Sequence, residues 1–528
     1  MVITSDLLTI KQASEWASEY LHRNVTPSNI SYLIQYGRIK KITDNGDTFV
    51  SRENLISYYK SFIGNKEKNW TNRLGQDINW TLSFDHLKES ERTKHVHRLH
   101  PYKGKFIPQL VEYFLDNHVN EFKKKVYFNK GDIILDPFCG SGTTLVQANE
   151  LGMHAIGIDV SSFNALISNV KIAKYNLVEL FNSIRQVTLA LRELSARTNI
   201  KEFDNKLLEA LTDFNNKYFP SPEFKIKARS GEINEDDYGQ VKAREFETIF
   251  QGILNIYNVN LKQENNYSFL DKWYVMPIRQ EIELVWSYID KIQNISVKNI
   301  MTIILSRTIR SCRATTHIDL ATLKEPVFST YYCHKHGKIC KPLFSILNWW
   351  KRYGEDTIVR LGQFDKLRTE TNQFCLTGDS RHIDIIKELF IHNIELAQLI
   401  NKQKIQGIFS SPPYVGLIDY HDQHAYAYDL FNFERHDNQE IGKLSDGQSA
   451  EARKLYINSI VDVLINCKKF LANDFNIFLI ANDKFNIYPL IAEKSSLQII
   501  QKFKRPVLNR TERDKTAYSE TIFHLKDK

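Results

Sequence analysis

Residues 132–159 read DIILDPFCGSGTTLVQANELGMHAIGID. DIILD is a short apolar run closed by Asp136, the pattern of a strand buried on both faces. Phe138-x-Gly140-x-Gly142 then makes a turn, and Thr143-Thr144 open a helix. HAIGID is a second apolar strand ending on Asp159, and VSSFNALISNVKIAKY a second helix. This βαβα alternation predicts a doubly wound α/β sheet. It stops after residue 176 and resumes with NQFCLTGDS, which carries Asp379. A helix (RHIDIIKELFIHN), a strand (IQGIF), a long helix and a strand (FNIFLIAND) follow, and LQIIQKFKRPVL and SETIFHLK close as an antiparallel pair. One sheet split by a long, mostly helical insertion at 177–365 is the expected fold.

Glycines in such a turn let backbone approach a ligand, and the helix N–H groups behind them face anionic groups. The turn lacks the Gly-Lys-Ser/Thr of a phosphate-binding loop and departs from the dinucleotide pattern G-x-G-x-x-G. Asp159, at the end of the second strand, stands where a carboxylate binds ribose hydroxyls. A nucleoside ligand is the expected occupant.

Downstream lies GIFSSPPYVGLIDYHDQHAY, with Ser411-Pro412-Pro413-Tyr414 directly after a strand. Two prolines cannot continue a sheet ladder, so they stiffen the chain there. Asp-Pro-Phe-x-Gly-x-Gly-Thr-Thr followed by Ser-Pro-Pro-Tyr resembles the amino-group DNA methyltransferases. HPYKGKFIPQLVEYFL, from His100 to Leu115, resembles their third recurring element. The resemblance covers 96–176 and 366–528. It implies a Rossmann-like methyltransferase sheet, S-adenosylmethionine as cofactor, double-stranded DNA as partner, and transfer to cytosine N4 or adenine N6.

By that resemblance Asp136, Gly140, Gly142 and Thr143 belong to the cofactor loop, with Phe106 and Pro108 flanking the methionine end. Phe138 lies near the cofactor, Asp159 holds its ribose, and Asp379 approaches its adenine amino group. An exocyclic amine is a poor nucleophile, so it needs acceptors for its N–H groups and alignment with the methyl group. The Ser411 side chain and the Pro412 carbonyl are the expected acceptors, Pro413 stiffens the mount, and Tyr414 stacks on a base rotated out of the duplex. Serine at the first position is commoner among the cytosine-N4 enzymes, whereas the adenine enzymes usually carry Asp or Asn. Ser411 therefore favours cytosine N4, with adenine N6 the alternative. A DNA-binding regulator with an inactive methyltransferase domain is the rival from another class. No endonuclease motif is recognised, so a cognate restriction enzyme in such a system would be a separate chain.

The first 64 residues read as helix, turn, helix, a hairpin with an Asn-Gly turn, and a third helix. Thr9 and Thr26 are the expected N-caps, Pro27 the first helical position and Gly37 a stop. That order resembles the winged helix-turn-helix of excisionase-like regulators. It would place Ser28, Asn29 and Tyr32 toward a groove and Arg38, Lys40 and Lys41 toward phosphates. Residues 65–95 are polar and read as a linker. The insertion is a candidate target-recognition region whose recurring basic residues, Arg307, Arg310, Arg313, Lys335, Lys338 and Lys341, form either a solvated face or a DNA-facing one. His424, Arg510 and Arg513 are further DNA candidates.

The chain has 528 residues, 42% of them hydrophobic, so a large core is available, and a net charge of +8 is compatible with a polyanionic partner. No apolar run approaches the roughly 18 residues of a membrane span, and no secretory leader is recognised, so a cytoplasmic, membrane-free protein is expected. Six scattered cysteines fit a reducing compartment. Methyl transfer to an amine needs no metal. YYCHKHGKIC nevertheless spaces Cys333, His336 and Cys340 as three possible zinc ligands, with Cys312 or His317 a fourth.

Overall fold

The computed structural model describes residues 6–21, 25–35, 38–44, 47–60, 70, 72–75, 77–84, 87–265, 267–320, 322–507 and 517–528. Gly37, the Asn45-Gly46 turn, Arg510 and Arg513 lie outside the described residues. The chain divides into two compact units. One takes Met1–Arg73, Leu189–Leu284 and Ser311–Leu347; the other takes Leu74–Thr188, Val285–Arg310 and Asn348–Lys528.

The second unit holds a seven-stranded sheet. Its strands are β1 (Ile133–Asp136), β2 (His154–Asp159), β3 (Gln373–Thr377), β4 (Ile405–Ser410), β5 (Leu471–Ala481), β6 (Leu497–Pro506) and β7 (Ser519–Asp527). They lie in the order β3-β2-β1-β4-β5-β7-β6. Strands β1 to β5 run parallel, and β7 runs antiparallel to both β5 and β6. Successive side chains leave a strand on opposite faces, so a sheet covered on both sides needs apolar residues at nearly every position. Ile133, Leu135, Ile156, Ile158, Ile408, Ile477 and Leu479 join one core cluster, and Ile134, Ala155, Phe409, Phe478 and Ile480 the other.

Strand order reverses between β1 and β4. The chain moves outward from β1 through β2 to β3, then returns to β4 on the other side of β1 and continues to β5. The carboxyl ends of β1 and β4 therefore flank a topological switch point, where a crevice opens in sheets of this kind.

Gly142 sits at φ 74°, and a Cβ there would come within 2.9 Å of the Ser168 side chain. Only glycine turns the chain here into the helix Thr143–Glu150. The next helix, Ser162–Ile172, starts at Ser161, whose hydroxyl accepts from Asn164 N at 3.2 Å.

Two boundaries differ from the sequence expectation. Within the expected linker 65–95, residues 77–84 pack onto the sheet instead. Asn79 N donates to Lys504 O on β6 at 2.8 Å, and Leu82 and Phe84 enter the core beneath the sheet. Nor is 177–365 one inserted body. Residues 177–188, 285–310 and 348–365 pack with the sheet's unit: Trp350 Nε1 donates to Thr188 Oγ1 at 3.2 Å, and Arg307 pairs with Asp356 at 2.6 Å. Several basic residues of the insertion are thereby engaged within the protein. Arg307 is 7% exposed and stacks over Tyr353, Arg313 is buried and donates to Leu320 O, and Lys341 pairs with Asp204. Lys335 and Lys338 are exposed.

In the other unit, helices Ile10–Tyr20, Pro27–Gln35 and Arg52–Tyr59 surround a small core of Ala13, Ala17, Ile30, Val50 and Leu55. Strands Ile42–Asp44 and Asp47–Ser51 pair as expected, and a strand not anticipated, Leu7–Thr9, adds to the hairpin through Asp47–Ser51. Thr9 caps the first helix: its hydroxyl accepts from Gln12 N at 3.2 Å while Gln12 Oε1 accepts from Thr9 N at 3.0 Å.

Phe478, fully buried on β5, meets the rings of Phe114 (4.9 Å), Tyr127 (4.8 Å) and His524 (4.5 Å). Phe478→Ala should cost about 3–5 kcal/mol. Hydrogen exchange of the β5 and β7 amides should accelerate accordingly; unchanged protection there would contradict this account of the core.

Candidate active site

A cleft of about 800 Å³, counting its open mouth, lies at the switch point. Its walls come from the loops after β1 (Pro137–Ser141 and Thr143), β2 (Asp159, Val160), β3 (Gly378–Ser380) and β4 (Ser411, Pro413), and from Tyr102, Lys105 and Phe106. The sheet thus brings together residues more than 300 positions apart in the sequence.

Asp136 lies beneath the cleft rather than in its wall. It is 2% exposed, and both its oxygens are engaged. Ser410 Oγ donates to Oδ1 at 2.5 Å, Phe138 N to Oδ1 at 3.2 Å, and Thr144 Oγ1 to Oδ2 at 2.6 Å. Burial pushes its carboxyl up to about 6, and the three donors hold it from rising further.

Asp159 lies in the wall. Its Oδ1 receives Ser161 N at 2.9 Å and Asn164 Nδ2 at 3.1 Å, and its Oδ2 receives Gly140 N at 2.8 Å. Those three donors leave acceptor capacity on a carboxylate. Burial raises this carboxyl also to about 6 against the pull of the same donors. Gly140 sits at φ 52°, and a Cβ on it would lie 2.9 Å from the Tyr102 hydroxyl. Ser141 Oγ and Asn164 Oδ1 are buried at this wall with no hydrogen-bond partner among the described residues.

Across the cleft, Asp379 is gripped by Arg381. The guanidinium reaches Oδ1 at 2.9 Å and Oδ2 at 2.6 Å, and Arg381 N also donates to Oδ1. Burial alone would raise the Asp379 carboxyl, but the paired guanidinium and amide hold it below the ordinary value.

Ser411 Oγ donates to Ile480 O on β5 at 3.2 Å. A hydroxyl that donates there leaves its lone pairs as acceptors. Tyr414 donates to Glu520 Oε1 on β7 at 2.8 Å, and Arg505 on β6 lies 3.8 Å from Glu520 Oε2. The Tyr414 ring borders a second cleft with Val415, Tyr456, Asn482, Phe485, Tyr488 and Tyr518. One short motif therefore separates a glycine-walled cleft from an aromatic-walled one.

With this geometry in place, the comparisons with known proteins become informative. The N6/N4 methyltransferase family model, described as DNA methylase, matches residues 19–169. The Type II methyltransferase M.MjaII of Methanocaldococcus jannaschii is 46% identical over 524 residues, 98% of this chain and 97% of that protein. The chain belongs to the N6/N4 DNA methylase family. Shorter matches join it to the Type II methyltransferases M.BsoBI of Geobacillus stearothermophilus (36% over 101 residues, 19% of this chain and 18% of that protein) and M.MvaI of Kocuria varians (26% over 136 residues, 25% and 28%).

The methylase is thus a DNA methyltransferase of an S-adenosylmethionine-dependent family, and its first cleft fits that cofactor. Gly140 leaves the space a side chain would fill, Asp159 keeps acceptor capacity for hydroxyls, and Ser141 and Asn164 present unpartnered polar atoms. No helix among the described residues is long and apolar enough to cross a membrane.

Of the residues named from the sequence, Phe106, Phe138, Gly140, Thr143, Asp159, Asp379, Ser411 and Pro413 line the first cleft, and Tyr414 the second. Pro108 is buried as the first residue of the helix Pro108–Leu115, and Gly142 shapes the loop from behind. His424 is corrected: it is 2% exposed and packs against His100 and Phe163 at 5.2 and 5.1 Å, so it offers DNA no surface. Sequence reasoning missed Glu520, Asn482 and Phe485. A usable signal existed, since β5 runs into Asn482-Asp483 much as β1 and β2 end on Asp136 and Asp159.

Asp159 is neutral below about 6 and charged above it. The charged form is the stronger acceptor, so cofactor binding should tighten as pH rises through that value. Between pH 5.5 and 7.5 calorimetry should show roughly a fourfold fall in Kd, following the charged fraction. Asp159→Asn should bind weakly with no such trend; a wild-type affinity in that variant would remove Asp159 from the site.

Proposed function

We propose that the methylase transfers a methyl group to the exocyclic N4 of cytosine within a specific duplex DNA sequence, as the modifying half of a restriction-modification system. The observation that carries this reading is the Ser411 hydroxyl, which donates a hydrogen bond to Ile480 O and lines the cleft as a neutral group with lone pairs to offer. An aromatic amine is an N–H donor with a delocalised lone pair. Accepting its protons shifts electron density toward nitrogen and holds it for in-line attack.

S-adenosylmethionine supplies a methyl group already activated on a positively charged sulfur. The chain's own residues do the rest. Asp159 accepts from ribose hydroxyls, the Gly140 loop makes room for the methionine end, and Phe106 and Phe138 present ring faces suited to a sulfonium. Asp379, held by Arg381, accepts from the adenine amino group. Ser411 and the Pro412 carbonyl take the target amine, and Tyr414, anchored by Glu520, supports a base turned out of the helix. The aromatic walls beyond Tyr414 suit a planar ring. A neutral serine, rather than a carboxylate, at the acceptor position supports cytosine over adenine.

For DNA contact we assign the exposed residues Ser28, Asn29, Tyr32, Arg38, Lys40 and Lys41. Asn29 also closes its own helix start, its Oδ1 accepting from Thr26 N at 2.9 Å.

Three measurements test the reading. DNA methylated by the protein, digested to nucleosides and weighed, should yield N4-methylcytosine; N6-methyladenine would overturn the base assignment. Ser411→Ala should lower kcat by about 100-fold or more while S-adenosylmethionine binding survives. Replacing Arg38, Lys40 and Lys41 together by alanine should reduce the slope of log affinity against log salt by about 2–3 units. An unchanged slope would exclude these residues from phosphate contact.

A further inference from the structure

The hairpin Tyr331–Cys333 and Lys338–Cys340 belongs to the first unit and takes no part in the catalytic clefts. Its antiparallel register pairs Tyr331 with Cys340 and Cys333 with Lys338, which puts both cysteines on one face along a diagonal. The other face is used for packing. Tyr332 OH donates to Glu235 Oε1 at 2.8 Å, and Ile339 exchanges hydrogen bonds with the Asn215 side chain at 2.9 and 3.0 Å. At the tip, His336 N and Gly337 N both donate to Cys333 O, at 3.1 and 2.7 Å, and Gly337 takes φ 63°. That tight turn folds the His336 ring back over the two sulfurs. His317, from the irregular chain before the hairpin, closes the group from the other side.

The four side chains converge. His336 Nδ1 lies 3.6 Å from Cys333 Sγ and 3.4 Å from Cys340 Sγ, and His317 Nδ1 lies 3.8 Å from Cys333 Sγ. All four donor atoms fall within 4.8 Å of one another. With Zn–S near 2.3 Å and Zn–N near 2.05 Å, a tetrahedral site has nitrogen–sulfur edges of about 3.6 Å. The observed separations bracket that value, and two thiolates with two imidazoles are a zinc donor set. Two thiolates also cancel the charge of a divalent cation, which suits a group whose two cysteines are buried.

We propose that Cys333, His336, Cys340 and His317 bind one structural zinc ion that staples this hairpin. Binding exchanges two thiol protons for the metal and leaves both imidazoles neutral, and it replaces the 2.8 Å hydrogen bond between His317 Nδ1 and the Tyr331 hydroxyl. Four protein ligands fill the tetrahedral shell, so the ion has no open position for catalysis. Its work is mechanical: three-residue strands make a weak ladder, and the metal fixes the tip that carries the exposed Lys335 and Lys338.

The test is metal analysis of untagged full-length protein purified without chelator. Elemental mass spectrometry should find about one zinc per chain. Cys340→Ser and His317→Asn should each lose most of it, and Cys312→Ala, at a buried cysteine outside the group, should retain it. Where a variant fails to fold, cobalt(II) titration of the metal-stripped wild type decides. A tetrahedral visible spectrum with a thiolate charge-transfer band, displaced by one equivalent of zinc, supports the site. Background zinc together with no such spectrum overturns it. So does full zinc retention in both ligand variants, or a Cys333–Cys340 disulfide in freshly isolated protein.

Discussion

The carboxylate of Asp136 is the joint on which the active site is assembled. It is buried at the end of β1 and accepts hydrogen bonds from three places at once: the loop behind it, the first turn of the helix Thr143–Glu150, and Ser410 at the end of β4. Burying a carboxylate is unfavourable unless its lone pairs are met, and here they are met only when β1, the glycine loop and β4 are in register. Ser410 immediately precedes Ser411. The same hydrogen bonds that satisfy one buried carboxylate thus set the distance between the glycine loop and Ser411.

A second joint lies on the other side of the motif. Ser411 is tied to β5 through Ile480 O, and Tyr414 to β7 through Glu520. The Ser-Pro-Pro-Tyr segment is therefore suspended between three strands, and its two prolines remove the backbone freedom that would let it sag. The two cleft walls thus share one short rigid segment, which matters for a reaction that requires donor carbon and acceptor nitrogen in line.

Strands β1 and β2 were legible in the sequence because their middles are covered on both faces and so read as apolar runs closed by an aspartate. Spacing of helical positions was legible too, but it says only that a helix has an apolar side, not what that side meets. Residues 285–310 and 348–365 were therefore grouped with the insertion although they pack with the sheet's unit. His424 failed for a related reason: an aromatic and histidine-rich run such as DYHDQHAYAY has the same composition whether its rings meet a base or one another. Asp136 shows the converse. Its residue type suggests a ligand contact, and only its burial beneath the cleft, out of the wall that Asp159 helps to form, shows that it serves the fold. Among the cysteines and histidines, chain order leaves Cys312 and His317 equal, and the approach of His317 Nδ1 to 3.8 Å from Cys333 Sγ separates them.

The position of β7 bears on how the second cleft is completed. It is the last of the sheet's strands to be synthesised, yet it lies between β5 and β6 and carries the glutamate that anchors Tyr414. Strands β1 to β5 by themselves leave the sheet incomplete and the Tyr414 hydroxyl without Glu520, because β7 supplies both the pairing between β5 and β6 and that carboxylate. One wall of the second cleft is thereby tied to a strand more than 100 residues further along the chain, so that wall is complete only once the sheet is.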